Sequence, residues 1–184
     1  MEQRIFLATK KENTVGVIFN ATDNKATRIP TIKYQHEGNL QGFADTRLSA
    51  LSALIEVIDK TDVTKLTNVV PVFVNQQLCE FIQKETYKFW IKTGKKQTGE
   101  EVSPKEIEML KTFAKLWKEK GDDFVIRDIF ACRIHDKVKA DPAKLAKFKT
   151  YSQQNDFYCR WCWGEIAKLY NESVQESIAS VSSI

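Results

Sequence analysis

Two short patterns in this chain carry donor sets that could hold a metal. Cys132-Arg133-Ile134-His135 is a C-x-x-H pair and Cys159-Arg160-Trp161-Cys162 is a C-x-x-C pair. Thiolate and imidazole donors in groups of four are what tetrahedral zinc takes. Burial is the competing reading for the second pair, because Cys159 and Cys162 fall in a helical pattern beside Phe157 and Trp161, where cysteine packs as a small apolar side chain. A redox role would need the pair to open a helix directly after a strand, and it does not. A second chemistry is polyanion binding. Trp90, Lys92, Lys95 and Lys96 join one aromatic to mobile cations, which suits a phosphate backbone beside a stacking surface; a solvated loop pinned by one buried tryptophan is the plainer alternative. Lys137, Lys139, Lys144, Lys147 and Lys149 form a second basic block, which solvation alone also explains. Asn75 and Gln77 stand where a strand gives way to a helix. They suit a sugar or phosphate, while Asn75 equally suits a helix cap. Phe157, Tyr158, Trp161 and Trp163 are more aromatics than one helix face needs, so that helix is either deeply buried or offers a patch to a protein partner.

These residues need elements to hold them. Arg4 to Lys10, Thr14 to Asn20 and Ala26 to Gln35 alternate as strands joined by short polar turns, the pattern of an antiparallel meander. Asp45 can cap a helix carrying Leu48, Leu51, Ile55 and Ile58 on one face. Asn68 to Val74, with Val69-Val70-Pro71-Val72-Phe73-Val74 at its heart, is rich enough in β-branched residues for a buried central strand. A second helix is expected from Gln76, using Leu78, Phe81, Ile82 and Phe89. Ser103-Pro104-Lys105-Glu106 then opens a third with a capping box and a proline in its first turn, facing Ile107, Leu110, Ala114 and Trp117 inward, with Gly121 as terminator. Phe124 to Ile134 is a fifth strand. Asp141-Pro142 opens a short helix with Leu145 and Phe148 inward, and Asp156 can cap a last long helix reaching about Asn171. The serine-rich remainder, 171–184, is expected to fray.

At 184 residues one domain is the natural expectation, spanning 1–170. The formal charge of +4 is too mild to demand a nucleic-acid partner by itself. No apolar run is long enough to span a bilayer. The first residues, Met1 to Lys10, read as a strand rather than a signal peptide. Four cysteines without a small-domain disulfide framework fit a reducing compartment, so a soluble cytoplasmic protein is expected.

Three antiparallel strands, a helix, a strand, helices, a strand and a closing helix is the element order of the ribonuclease H fold. Particular segments add to it. Thr46-Arg47-Leu48-Ser49-Ala50-Leu51-Ser52-Ala53-Leu54 resembles that family's first helix and Val74-Asn75-Gln76-Gln77-Leu78 the corner after its fourth strand. Trp90 to Val102 resembles the basic handle of bacterial ribonuclease HI, and Trp163-Gly164-Glu165-Ile166-Ala167-Lys168 is similar to its final helix. The resemblance covers about Arg4 to Tyr170. It implies an α/β domain with a five-stranded mixed sheet, three antiparallel strands and then two further strands, flanked by helices. It also implies where four carboxylates would hold two divalent ions about 4 Å apart. Those positions fall at Ala8 or Thr9, Ser49, Asn75 and Gly164, and none is acidic. Magnesium asks for hard, charged oxygen ligands, which these residues do not offer.

The expectation is therefore a ribonuclease H-like domain without hydrolytic activity and without a cofactor. It would bind nucleic acid through Asn75, Gln77, the handle and the lysine block, or bind a protein through Phe157, Tyr158, Trp161 and Trp163. Such a domain suits an accessory or inhibitory factor, of the kind a phage or mobile element carries. Two alternatives stay open: an active metal-dependent nuclease with relocated acids, and an interaction domain stabilised by zinc on Cys132, His135, Cys159 and Cys162.

Overall fold

Every residue from Arg4 to Thr9 is buried, so the first strand, β1 (Gln3–Lys10), is covered on both faces. The computed structural model describes residues 2–35, 46–129 and 150–182. After β1 come β2 (Asn13–Asn20), β3 (Lys25–Lys33), α1 (Thr46–Lys60), β4 (Val70–Val74), α2 (Gln76–Gln83), α3 (Thr86–Thr93), α4 (Pro104–Lys120), β5 (Phe124–Asp128) and α5 (Tyr151–Ser182). The five strands form one sheet in the order β3-β2-β1-β4-β5. β1, β2 and β3 pair antiparallel, and β4 and β5 join β1 in parallel.

Alternation divides the core into two layers. Ile5, Leu7, Val72, Val74 and Ile126 point to one side, where they pack with α1, α2, α3 and α4. Phe6, Ala8, Val15, Val17, Phe19 and Phe73 point to the other, against Cys159, Cys162 and Ile166 of α5. Phe6 and Phe73, neighbours in register, stack with centroids 4.7 Å apart. At Gly16 a Cβ would meet the Leu7 side chain at 2.6 Å and the Phe6 carbonyl at 2.9 Å, so the β1–β2 contact needs glycine. β3 is mostly exposed along its length. Pro30 on this edge strand removes a donor from the open edge, and the register shift opposite Thr14 and Gly16 adds a bulge, both of which blunt edge pairing.

Some boundaries differ from expectation. The helix from Gln76 is two helices, broken where Glu85 takes a left-handed φ of 56°. The break turns Tyr87 and Trp90 into the core and leaves Phe89 exposed, so Phe89 is not an inward residue. In α4 the Ser103 hydroxyl accepts from the Glu106 N–H at 3.2 Å, but the Glu106 carboxylate goes to Arg47 at 2.7 Å rather than completing the box. Phe113 and Leu116 share the buried stripe with Leu110, while Ile107, Ala114 and Trp117 are half-buried beside it. Gly121 stays right-handed and runs into a short 3-10 turn rather than ending the helix in the left-handed conformation, and a side chain there would press on the Trp117 indole at 3.1 Å. α5 begins ahead of Asp156 and continues to Ser182, through the segment expected to fray; Asp156 is buried within it and pairs with Arg160 at 2.8 Å. Asp45, the remainder of the expected fifth strand and the Asp141-Pro142 helix lie outside the described residues.

Candidate functional site

The end of the sheet where β1 and β4 finish is the natural place for a site. Phe6 pairs with Phe73, so two residues on Ala8 stands level with Asn75. Both strand ends are taken up by folding. Ala8 is fully buried. The Thr9 and Thr14 hydroxyls share a buried hydrogen bond of 2.8 Å. Ser49, on the sheet side of α1, is 1% exposed, and its hydroxyl has no hydrogen-bond partner among the described residues. Asn75 is the N-cap of α2: its Oδ1 accepts from the Leu78 N–H at 2.9 Å. Gln77, two residues on, is exposed, and Gly164 faces open space on α5. Among the described residues an acid, Asp128, stands in register with Val74 at the end of β5. Among the described residues no group of three or more His, Cys, Asp or Glu is placed to hold a metal ion.

Cys159 and Cys162 are both buried against the sheet. The Cys162 thiol donates to the Phe6 carbonyl at 3.6 Å. Burial pushes its pKa up to about 12. Cys132 and His135 lie outside the described residues.

The handle grows out of α3. Gly94, with φ of 68°, ends that helix through a bond from its N–H to the Trp90 carbonyl. A small hairpin follows, closed by the Lys95–Glu101 bridge and by the Val102 N–H on the Gly94 carbonyl at 2.9 Å. Trp90 itself belongs to α3 and is 5% exposed. Its ring meets the edge of Phe81 at 4.8 Å and carries the Arg47 guanidinium 4.6 Å from its centroid, while its Nε1 donates to Gln97. A base could not stack on it in this arrangement, so the tryptophan serves as the handle's anchor. Lys96 pairs with Glu100 at 3.4 Å; Lys92 and Lys95 are exposed and make no ion pair among the described residues. Lys137, Lys139, Lys144, Lys147 and Lys149 lie outside them.

None of Phe157, Tyr158, Trp161 and Trp163 is fully exposed. Tyr158 packs on Phe6 and Phe19 with centroids 5.5 and 4.9 Å away, and Phe157 meets Tyr158 edge-on. Trp161 lies under Arg28, which pairs with Glu165 at 3.1 Å. The breadth of the β1–β2 surface accounts for most of this aromatic mass, since Tyr158, Trp161 and Trp163 all border the second core layer. A different group, Lys10 and Lys11 with Tyr170, has no local signal in the sequence, because the fold assembles it from both ends of the chain.

No family model matches the chain, and no curated protein matches it. Among solved structures it is similar to S. cerevisiae Dom34, a translation termination-like factor involved in RNA quality control pathways and interacting with Hbs1. The identity is 10% and the TM-score 0.33, over 94% of this chain and 40% of that one. A likeness this slight carries no argument about fold or function.

Proposed function

We propose that this chain is a ribonuclease H-like domain that binds nucleic acid as an accessory factor and does not cleave it. The sheet order β3-β2-β1-β4-β5, with α5 on one face and the other described helices, α1 to α4, on the opposite one, supports the fold assignment. The observation that carries the functional reading is the state of the four positions where that fold places its carboxylates. Thr9 is hydrogen-bonded to Thr14, Ser49 is sealed in the core, Asn75 is consumed as a cap and Gly164 has no side chain. Neutral groups of this kind cannot balance the charge of two magnesium ions. Binding survives such a loss because it needs only exposed cations, and the handle retains Lys92 and Lys95.

Fluorescence anisotropy with labelled hybrid, DNA and RNA oligonucleotides tests this directly. The expected result is salt-dependent binding, with the oligonucleotide intact on a denaturing gel after incubation with magnesium. Magnesium-dependent cleavage that survives repurification would overturn the non-catalytic part; no binding to any oligonucleotide at low salt would overturn the rest.

A further inference from the structure

Lys10 and Lys11 come from the first hairpin and Tyr170 from the last helix, yet both ammonium groups lie over the one tyrosine ring, 4.1 and 4.5 Å from its centroid. Both charges are drawn to the one ring, and like charges repel each other. Neither lysine makes an ion pair among the described residues, and Glu12, which shares the turn, pairs with neither. A ring face steadies an ammonium without neutralising it, so both charges stay available to an incoming anion.

The backbone adds a second observation. Lys11 has φ of 52°, the left-handed conformation that glycine or asparagine adopts more cheaply. The Thr9–Thr14 hydroxyl bond fixes the hairpin directly behind it. A lysine is thus held at a rigid, slightly strained tip beside another lysine.

This pair is one end of a longer basic rim. Lys10 pairs with Asn13 and Asn13 with Lys33, so Lys10 and Lys33 lie on the same face across three strands. Lys105, at the start of α4, approaches the Tyr34 ring to 5.8 Å. The Val102–Gly94 bond then links that helix start to the handle with Lys95. The rim therefore starts on the α5 side of the sheet at Lys10 and Lys33 and turns over the sheet end at Tyr34 to Lys105 and the handle on the other side.

We infer that the Lys10–Lys11 hairpin is a second phosphate contact, engaging a nucleic-acid strand that crosses this end of the sheet and also meets the handle. The inference rests on the nucleic-acid reading above, and the experiment separates the two. Salt titrations of oligonucleotide binding are compared for the wild type, Lys10→Ala/Lys11→Gly, Lys10→Gln/Lys11→Asn, Lys92→Ala/Lys95→Ala and the control Lys60→Ala, whose lysine pairs with Glu56. Glycine and asparagine both suit the left-handed turn, so the fold is retained, and circular dichroism checks it. Each hairpin variant is expected to bind about tenfold more weakly at low salt, and to flatten the log–log salt slope by roughly two on duplex. The control should match the wild type. A hairpin variant with unchanged affinity and slope, beside a weakened handle variant, overturns the hairpin contact and leaves nucleic-acid binding standing. A wild type that binds no oligonucleotide, or binds anionic vesicles instead, overturns both.

Discussion

Cys162 lies on α5 with its thiol against the Phe6 carbonyl, and Cys79 is buried on the opposite side of the sheet. Burial raises their pKa values from 9.0 to about 12 and about 11. Below pH ~9 the thiols are protonated in both folded and unfolded chains and cost nothing. Above it the unfolded chain releases its protons first, so stability falls as pH rises, until the folded thiols themselves ionise. The slope is at most ~1.4 kcal/mol per pH unit for each thiol. Tyr87 and Tyr158, whose pKa values burial also raises, act in the same direction at higher pH. Urea midpoints measured from neutral to alkaline pH should show this decline, and Cys162→Val should make it shallower. Asn75 offers a sharper test at one residue. With its Oδ1 on the Leu78 N–H, Asn75→Ala should lose ~1 kcal/mol in urea unfolding while leaving oligonucleotide affinity unchanged. A loss of affinity with unaltered stability would instead make Asn75 a ligand contact.

At the level of elements, α1, α3 and α4 meet at Arg47. Its guanidinium donates to Glu106 through Nε and Nη2 at 3.0 and 2.7 Å while lying on the Trp90 ring. The Glu106 side chain is 7% exposed, so removing its partner strands a buried carboxylate. Arg47→Ala is expected to destabilise by ~3 kcal/mol, and Arg47→Met with Glu106→Leu to recover most of that, as measured by urea unfolding. The pair also shows where sequence stops being informative. Ser103-Pro104 announces the start of α4 through local chemistry, and the alternation of Val15, Val17 and Phe19 announces β2. The partner of Glu106 depends on how two distant helices pack, and no local pattern contains that. The break at Glu85 is similar, since Gln83-Lys84-Glu85-Thr86 holds neither glycine nor proline. It follows from burying Phe81, Tyr87 and Trp90 together, with Tyr87 edge-on to Phe113. Lysines in a turn look merely solvated until Tyr170 is seen beneath them.

For the whole molecule, the decisive quantity is how much negative charge the end of the sheet can offer to cations. On the ribonuclease H-like reading proposed above, adding it piecemeal should fail in a revealing way. Asn75→Asp keeps an N-cap, and Gly164→Asp enters open space while removing a glycine from a helix interior, so the double variant should fold at least as well as the wild type. Ser49→Glu is different: that position is 1% exposed, and the larger side chain would overpack the layer between α1 and the sheet. Two carboxylates without a third from α1 leave a divalent pair short of charged ligands. Gly164 lies between the inward-facing Cys162 and Ile166 on the exposed side of α5, so a carboxylate there would point away from the one at 75. The Asn75→Asp/Gly164→Asp variant is therefore expected to gain neither magnesium-dependent thermal stabilisation over the wild type nor hybrid-strand cleavage. Melting curves with and without magnesium, run beside a gel assay on the same samples, measure both. Wild-type protein that is itself stabilised by magnesium and cuts the hybrid would mean that acids elsewhere, Asp128 first among them, already supply the missing charge.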